Sequence, residues 1–258
     1  MTYFFSLFVI ILGLVIGSFL NCLIWRLYKN ESILGRSYCP KCRRKISWYD
    51  NIPVLSFLFL NGRCRHCKKT ISWQYPAVEA ITSLLFLLLW LKNLVLPDLG
   101  LLLVRDWLIA ITLIIVFVYD FRWQLVPMMV VWPMTVIVLV LNLLLGFSVL
   151  ELIIYGAIGA AFFIIQYIVT KKKGLGEGDI WLGLFLGLTF PSGAYLFLIM
   201  FLSYTIGALT SLALLITEKK AWKSKIALGP FLALGAIITL IWGPSILNWY
   251  TSLFWSLK

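Results

Sequence analysis

Apolar residues fall in long runs separated by short polar stretches. The first run, Thr2 to Trp25, is long enough to cross a bilayer, which takes about 20 residues. Further runs of that kind lie at 77–96, 101–120, 128–147, 151–170, 180–200, 203–217 and 226–250. They predict an all-α, polytopic integral membrane protein of about eight transmembrane helices. The last run carries Gly229, Pro230, Gly235, Gly243 and Pro244, so a kink is expected there, or an end before Pro244 with continuation along the interface. The first run reads as a retained helix and not as a removed signal peptide. No basic side chain precedes it, its apolar stretch exceeds a signal core, and no small-x-small cleavage pattern follows.

Only one polar stretch is long. Residues 26–76 separate the first run from the second, which divides the chain into a first helix (1–25), a loop (26–76) and a transmembrane body (77–258). The composition agrees, with 62% hydrophobic and only 12% charged residues, too few charges to clothe a water-soluble domain.

Lys and Arg outnumber Asp and Glu 22 to 10, which in a membrane protein reports orientation and contact with anionic lipid; nucleic-acid binding is not the inference. With the amino terminus outside, the inside segments 26–76, 121–127, 171–179 and 218–225 hold 19 of the 22 cations, leaving Lys92, Arg105 and Lys258. Positive charge gathers on the cytoplasmic side of membrane helices, so this arrangement fixes the topology. Both termini are expected outside.

The 26–76 loop has a net charge of +9 and two cysteine pairs, Cys39-Pro-Lys-Cys42 and Cys64-Arg-His-Cys67. Thiolates three residues apart converge on one metal across a tight turn, and two such turns supply a closed tetrahedron, so the four form a structural zinc site. Disulfides are disfavoured on a reducing cytosolic face. Cys22 lies inside the first span as a core residue, and His66 is expected to be a solvated loop residue.

Sorting the ten carboxylates by position leaves four near the membrane: Glu79, Asp120, Glu177 and Asp179. Asp98, Asp106 and Glu151 fall outside, and Glu31, Asp50 and Glu218 fall in charged inside loops. Asp120 ends the third run and Asp179 opens the sixth, which puts both at the inner membrane boundary. Two facing aspartates suit an aspartyl protease, where one carboxylate takes a proton from water and the other, protonated, polarises the scissile carbonyl. Asp120 is near a helix carboxyl end and Asp179 near an amino end, so the helix dipoles make Asp179 the base and Asp120 the acid. Gly174, Gly176 and Gly178 alternate before Asp179, and this backbone is expected to admit an extended peptide.

These residues resemble the bacterial type IV prepilin peptidases, intramembrane aspartyl proteases of the Gly-x-Gly-Asp class. Gly17-Ser-Phe-Leu-Asn21 with Arg26 is similar to the family's first-helix signature. Trp48-Tyr-Asp-Asn-Ile-Pro53, Gly62-Arg-Cys-Arg65 and Ile71-Ser-Trp-Gln-Tyr-Pro76 with Glu79 resemble its inside loop, and Gly176-Glu-Gly-Asp179 its catalytic motif. The resemblance implies that Asp120 and Asp179 are the catalytic pair and that a prepilin or pseudopilin is cut at the inner face, between a basic leader and a hydrophobic helix. Many members also methylate the new amino group with S-adenosylmethionine, an activity implied here by resemblance alone.

The chain departs from the family at Met128, where an acid is usual, at Trp181, where a Lys is usual, and at Gln74, where an Arg is usual. Trp181 is expected to anchor at the interface instead. The departures mark a divergent branch, of the kind that processes competence pseudopilins. Since a basic leader should be repelled by a +9 loop, Arg63 and Arg65 are candidate partners for an acid in the substrate. The competing reading is a proton-coupled transporter, which would need the paired acids near the bilayer midplane.

Overall fold

A computed structural model describes residues 2–94, 99–171, 176–217 and 227–255. Gly174, Asp98, Glu218 and Lys172, Lys173, Lys219, Lys220, Lys223, Lys225 and Lys258, all used in the sequence reading, lie outside the described residues. The described chain is helical, with two isolated β-bridges as its only extended pairing. It divides into two compact units, Met1–Pro97 and Asp98–Lys258.

The first unit holds α1 (Thr2–Lys29), a single 3-10 turn at Trp48–Asn51, the short α2 (Leu55–Phe59) and α3 (Gln74–Asn93). Helices α1 and α3 pack antiparallel over their length, from Phe5 beside Trp90 to Asn21 beside Tyr75. Glycines permit this closeness, because a Cβ on Gly13 would lie 2.5 Å from the Ser83 Cα and one on Gly17 would lie 2.7 Å from the Glu79 Cα. Polar side chains tie the seam where no water competes: Ser83 donates to the Ile10 carbonyl at 2.9 Å and Asn21 to the Tyr75 carbonyl at 3.0 Å. Gln74 donates to the Asn21 side chain at 3.3 Å. Asn30, with a φ of 53°, ends α1, and the buried Arg26 guanidinium gathers the carbonyls of Ser32, Ile33, Gly35 and Arg36 into the loop's first turn.

The second unit holds α4 (Leu99–Trp123), α5 (Met128–Leu144), α6 (Val149–Val169), α7 (Glu177–Thr189), α8 (Gly193–Ile216) and α9 (Gly229–Trp255). Among the described residues six helices (α1, α3, α4, α6, α8 and α9) are long and apolar enough to cross a membrane, while α5 is shorter. The sixth and seventh expected spans are redistributed. Pro191 disfavours helix at the residue before it, so α7 stops at Thr189 and α8 starts at Gly193, where the apolar run alone read 180–200 and 203–217. At 13 residues α7 rises only about 20 Å, short of a full crossing. Helix α9 runs through Pro244 without ending, so of the two expectations for this run, a kink or a stop, the stop does not occur.

Helices α6 and α7 cross backbone to backbone. A Cβ on Gly159 would sit 2.2 Å from the Gly183 carbonyl oxygen, and one on Gly187 would sit 2.1 Å from that of Tyr155. At the far end of α7, the buried Asn142 donates to the Leu188 carbonyl at 2.7 Å, satisfying one of the acceptors that a helix end leaves open. Asn142 in turn accepts from Arg105, whose guanidinium also holds the buried Asp106 at 2.7 Å. The α6–α7 seam yields a test: Gly183→Ala and Gly187→Ala are each expected to destabilise the protein by about 1–3 kcal/mol through overpacking. Gly100→Ala, where a Cβ meets nothing within 4 Å, is expected to leave thermal unfolding in detergent unchanged.

Candidate active site and metal centre

Three helix ends of the second unit converge on Asp120 and Asp179. Asp120 lies in the last turn of α4 and Asp179 in the first turn of α7, and both are buried, at 4% and 7% exposed. Asp179 folds back on its own helix start, with the Gly176 amide donating to its Oδ2 at 3.0 Å while the Asp179 amide donates to the Gly176 carbonyl at 3.1 Å. This reciprocal cap orients the carboxyl and places it at the positive end of α7, which favours its charged form.

Two glycines make the convergence possible. A Cβ on Gly178 would lie 2.6 Å from the Val126 Cβ, so the start of α7 presses on the turn that follows α4. A Cβ on Gly229, the first residue of α9, would lie 2.3 Å from the Asp120 Oδ2, and the Gly229 amide donates to that carboxyl. Asp179 is near enough for its charge to bear on Asp120 and on the Tyr204 hydroxyl, which donates to Gln166 at 2.7 Å. In the sequence Gly229 reads only as a helix breaker. Its signal, a glycine and a proline opening an apolar run, carries no mark of the carboxyl it faces.

The other acids do different work. Glu177 is exposed and accepts from the Tyr167 hydroxyl at 2.9 Å, and the buried Glu79, in the first unit, accepts from the Val54 amide at 2.7 Å. Gly176 and Gly178, expected to leave a backbone edge for a peptide, are engaged instead in capping and packing. Trp181 packs on Trp132 of α5, with ring centroids 4.3 Å apart. Both aspartates sit at helix ends, Asp120 in the last turn of α4 and Asp179 in the first turn of α7.

In the first unit, Cys39, Cys42, Cys64 and Cys67 bring their sulfurs within 4.8 Å of one another, with Cys39 and Cys67 at 4.0 Å. A tetrahedral zinc with bonds of about 2.3 Å sets sulfurs about 3.8 Å apart, so this donor set fits such an ion after a small contraction. The exposed His66 faces Arg44 at 3.5 Å and is not among the four. The two knuckles are copies of one device. In each, the first Cys amide donates to the carbonyl five residues on, Arg44 or Lys69, at 2.9 Å. The residue after the second Cys takes a positive φ, 54° at Arg43 and 57° at Lys68. Each copy then continues as Ile-Ser-Trp, at 46–48 and 71–73, an internal repeat that the cysteine spacing alone did not bring out.

Burial pushes the Cys39 thiol up to about 11. At Cys64 burial acts in the same direction but is outweighed by hydrogen bonds from the Cys67 and His66 amides and from the Cys67 and Cys39 thiols, which hold it at about 7. A metal must displace the Cys39 proton, so uptake is expected to strengthen as pH rises. The protein is expected to carry about one zinc per chain by elemental analysis. After chelation, alkylation near pH 7 should reach Cys64 before Cys39. A metal-free protein with all four thiols inert would contradict the site.

The geometry can be set beside known proteins. The model of the bacterial peptidase A24 N-terminal domain matches residues 11–93, and that of the type IV leader peptidase family matches residues 107–212. Curated relatives named prepilin leader peptidase/N-methyltransferase are similar over nearly the whole chain. That of Aeromonas salmonicida (strain A449) is 33% identical over 284 residues, covering 96% of this chain and 94% of its own. That of Aeromonas hydrophila is 34% identical over 285 residues, with 97% and 95% covered, and that of Bacillus subtilis (strain 168) is 32% identical over 248 residues, with 93% and 95% covered. No solved structure matches. Two family models that between them take in both units, together with relatives matched almost end to end, show that this multi-pass membrane chain belongs to the bacterial type IV leader peptidase family.

Proposed function

We propose that the protein is an aspartic prepilin leader peptidase whose catalytic pair is Asp120 and Asp179. The reading rests on the convergence of the α4 end, the α7 start and the α9 start on two buried carboxyls. The chemistry belongs to the 77–258 portion of the chain, within its Asp98–Lys258 unit; residues 1–25 and 26–76 supply the first helix and the metal-holding loop.

Asp179, capped by the Gly176 amide at a positive helix end, is the carboxylate that takes a proton from the attacking water. Asp120, at the negative end of α4, carries the proton that polarises the scissile carbonyl. The water oxygen bonds to the carbonyl carbon, the resulting tetrahedral centre expels the new amino terminus as the C–N bond breaks, and the amine leaves with a proton from the pair. The substrate is a prepilin, the class carried in the relatives' name, or a pseudopilin, which the family resemblance adds. Arg122 in the last turn of α4 and Lys171 after α6 stand at the dyad end of their helices, which supports a cytoplasmic active site in the bacterial inner membrane.

Zinc is the ion that suits four thiolates, and with no open position it holds the loop together and takes no part in cleavage. N-methylation rests on the relatives' name, and S-adenosylmethionine as its methyl donor on the family resemblance alone. Among the described residues there is no strand–turn–helix cradle for such a cofactor, so the hydrolytic step is the one derived from these residues.

Co-expression with a prepilin, followed by substrate mass, tests the proposal. Wild type is expected to remove the leader, and Asp120→Asn and Asp179→Asn to lose at least about 1,000-fold in rate. Gly229→Ala is expected to lose about 10- to 100-fold by displacing the Asp120 carboxyl, with little change in unfolding temperature. An added methyl mass reports the second activity. Full cleavage by either Asn variant would overturn the assignment.

A further inference from the structure

The first unit carries an apolar and basic surface that borders the cysteine cluster and that the dyad does not use. Helix α2 turns Phe57 inward, against Gly62 and 4.9 Å from Trp73, and leaves Leu55, Leu58 and Phe59 outward, Phe59 at 84% exposed. Beside Phe59 opens a cavity of about 590 Å³ whose wall continues through Leu60 and Asn61 to Arg63, Cys64, Arg65 and Lys68, so that it meets the metal site at one sulfur. Arg65 is held by Asp50, with three hydrogen bonds of 2.7–3.1 Å. Those bonds hold the Asp50 carboxyl below the usual carboxylate range, so the pair persists at neutral pH. Arg63 and Lys68 have no carboxylate partner among the described residues. The pocket therefore joins an apolar lip to two uncompensated cations.

Its depth follows from one hydrogen bond. The Val54 amide, at the start of α2, donates to the Glu79 carboxyl at 2.7 Å, and Glu79 is the sixth residue of α3. The start of α2 thus lies about 7 Å along a helix long and apolar enough to cross a membrane. An apolar lip at that level with cations beside it matches the boundary between acyl chains and headgroups, where aromatic and basic side chains are stable together.

We infer that α2 and the adjoining pocket form a docking site for an anionic phospholipid of the leaflet that faces the loop. Leu55, Leu58 and Phe59 enter the acyl region, and Arg63 and Lys68 take the phosphate. Charge complementarity selects this occupant, since the 26–76 loop carries +9 and the cytoplasmic leaflet is negative; the assignment of that leaflet rests on the orientation proposed above. An acid on the substrate, the partner that the sequence suggested for Arg63 or Arg65, is the competing occupant, and Arg65 is already committed to Asp50.

The test uses the full-length protein in nanodiscs of phosphatidylcholine and phosphatidylglycerol, with retained lipids counted by native mass spectrometry. Wild type is expected to hold phosphatidylglycerol about ten-fold over phosphatidylcholine. The Arg63→Gln, Lys68→Gln pair is expected to lose that preference, and an Arg36→Gln, Lys45→Gln pair of equal charge loss to keep it. An equal loss in both pairs, or none in the first, would overturn the site. A benzophenone amino acid at Phe59, independent of the charge variants, is expected to crosslink to lipid. Crosslinking to a co-expressed prepilin instead would transfer the surface to the substrate and overturn the inference. Leader cleavage in the same samples separates the readings, because its absence from wild type would count against the peptidase and leave the lipid counts unaffected.

Discussion

Burying a carboxyl group at the end of a membrane helix is costly unless neighbouring donors hold it, and the architecture of the second unit meets that requirement for two of them at one place. Asp179 is held by the Gly176 amide and Asp120 by the Gly229 amide. Both donors are glycine backbone, which approaches where no side chain fits and brings no competing charge. Packing in the unit sets these contacts. The backbone crossing of α6 and α7 fixes the helix that carries Asp179, and the Asn142–Leu188 hydrogen bond fixes its other end.

The short α7 follows from the same constraint. A helix of full crossing length could not both begin at Asp179 and stop against Asn142, and Pro191 enforces the stop. The first unit solves a different problem with different means. Its loop buries little apolar material of its own, so it is held by a four-sulfur cluster, by Arg26 on four carbonyls and by Glu79 on the Val54 amide.

Much of this was legible in the sequence because the bilayer leaves few choices. A long apolar run must be a helix, which placed eight apolar helices. Asp120 and Asp179 stood out because few acids sit at helix boundaries, and the cysteine pairs because thiolates at that spacing share a metal. What was not legible depends on who approaches whom. Gly229 reads as a breaker until Asp120 is seen against it, and Gly176 and Gly178 read as an open edge until their partners, Asp179 and Val126, are seen. Arg43 and Lys68 hide the left-handed turns of the knuckles because neither is a residue that favours such backbone. The division of 180–217 failed on hydropathy, which counts Pro191 as one weak position and not as a stop.

The account stands on Asp120 and Asp179 acting as one unit, and the most direct measurement is the affinity of a peptide isostere with a hydroxyl in place of the scissile carbonyl. Such a hydroxyl sits between the two carboxyls and depends on both. Each single Asp→Asn variant is predicted to weaken binding about 100-fold, and the double variant to weaken it no further. Losses that multiply in the double variant, or undiminished binding in either single one, would contradict a shared pair.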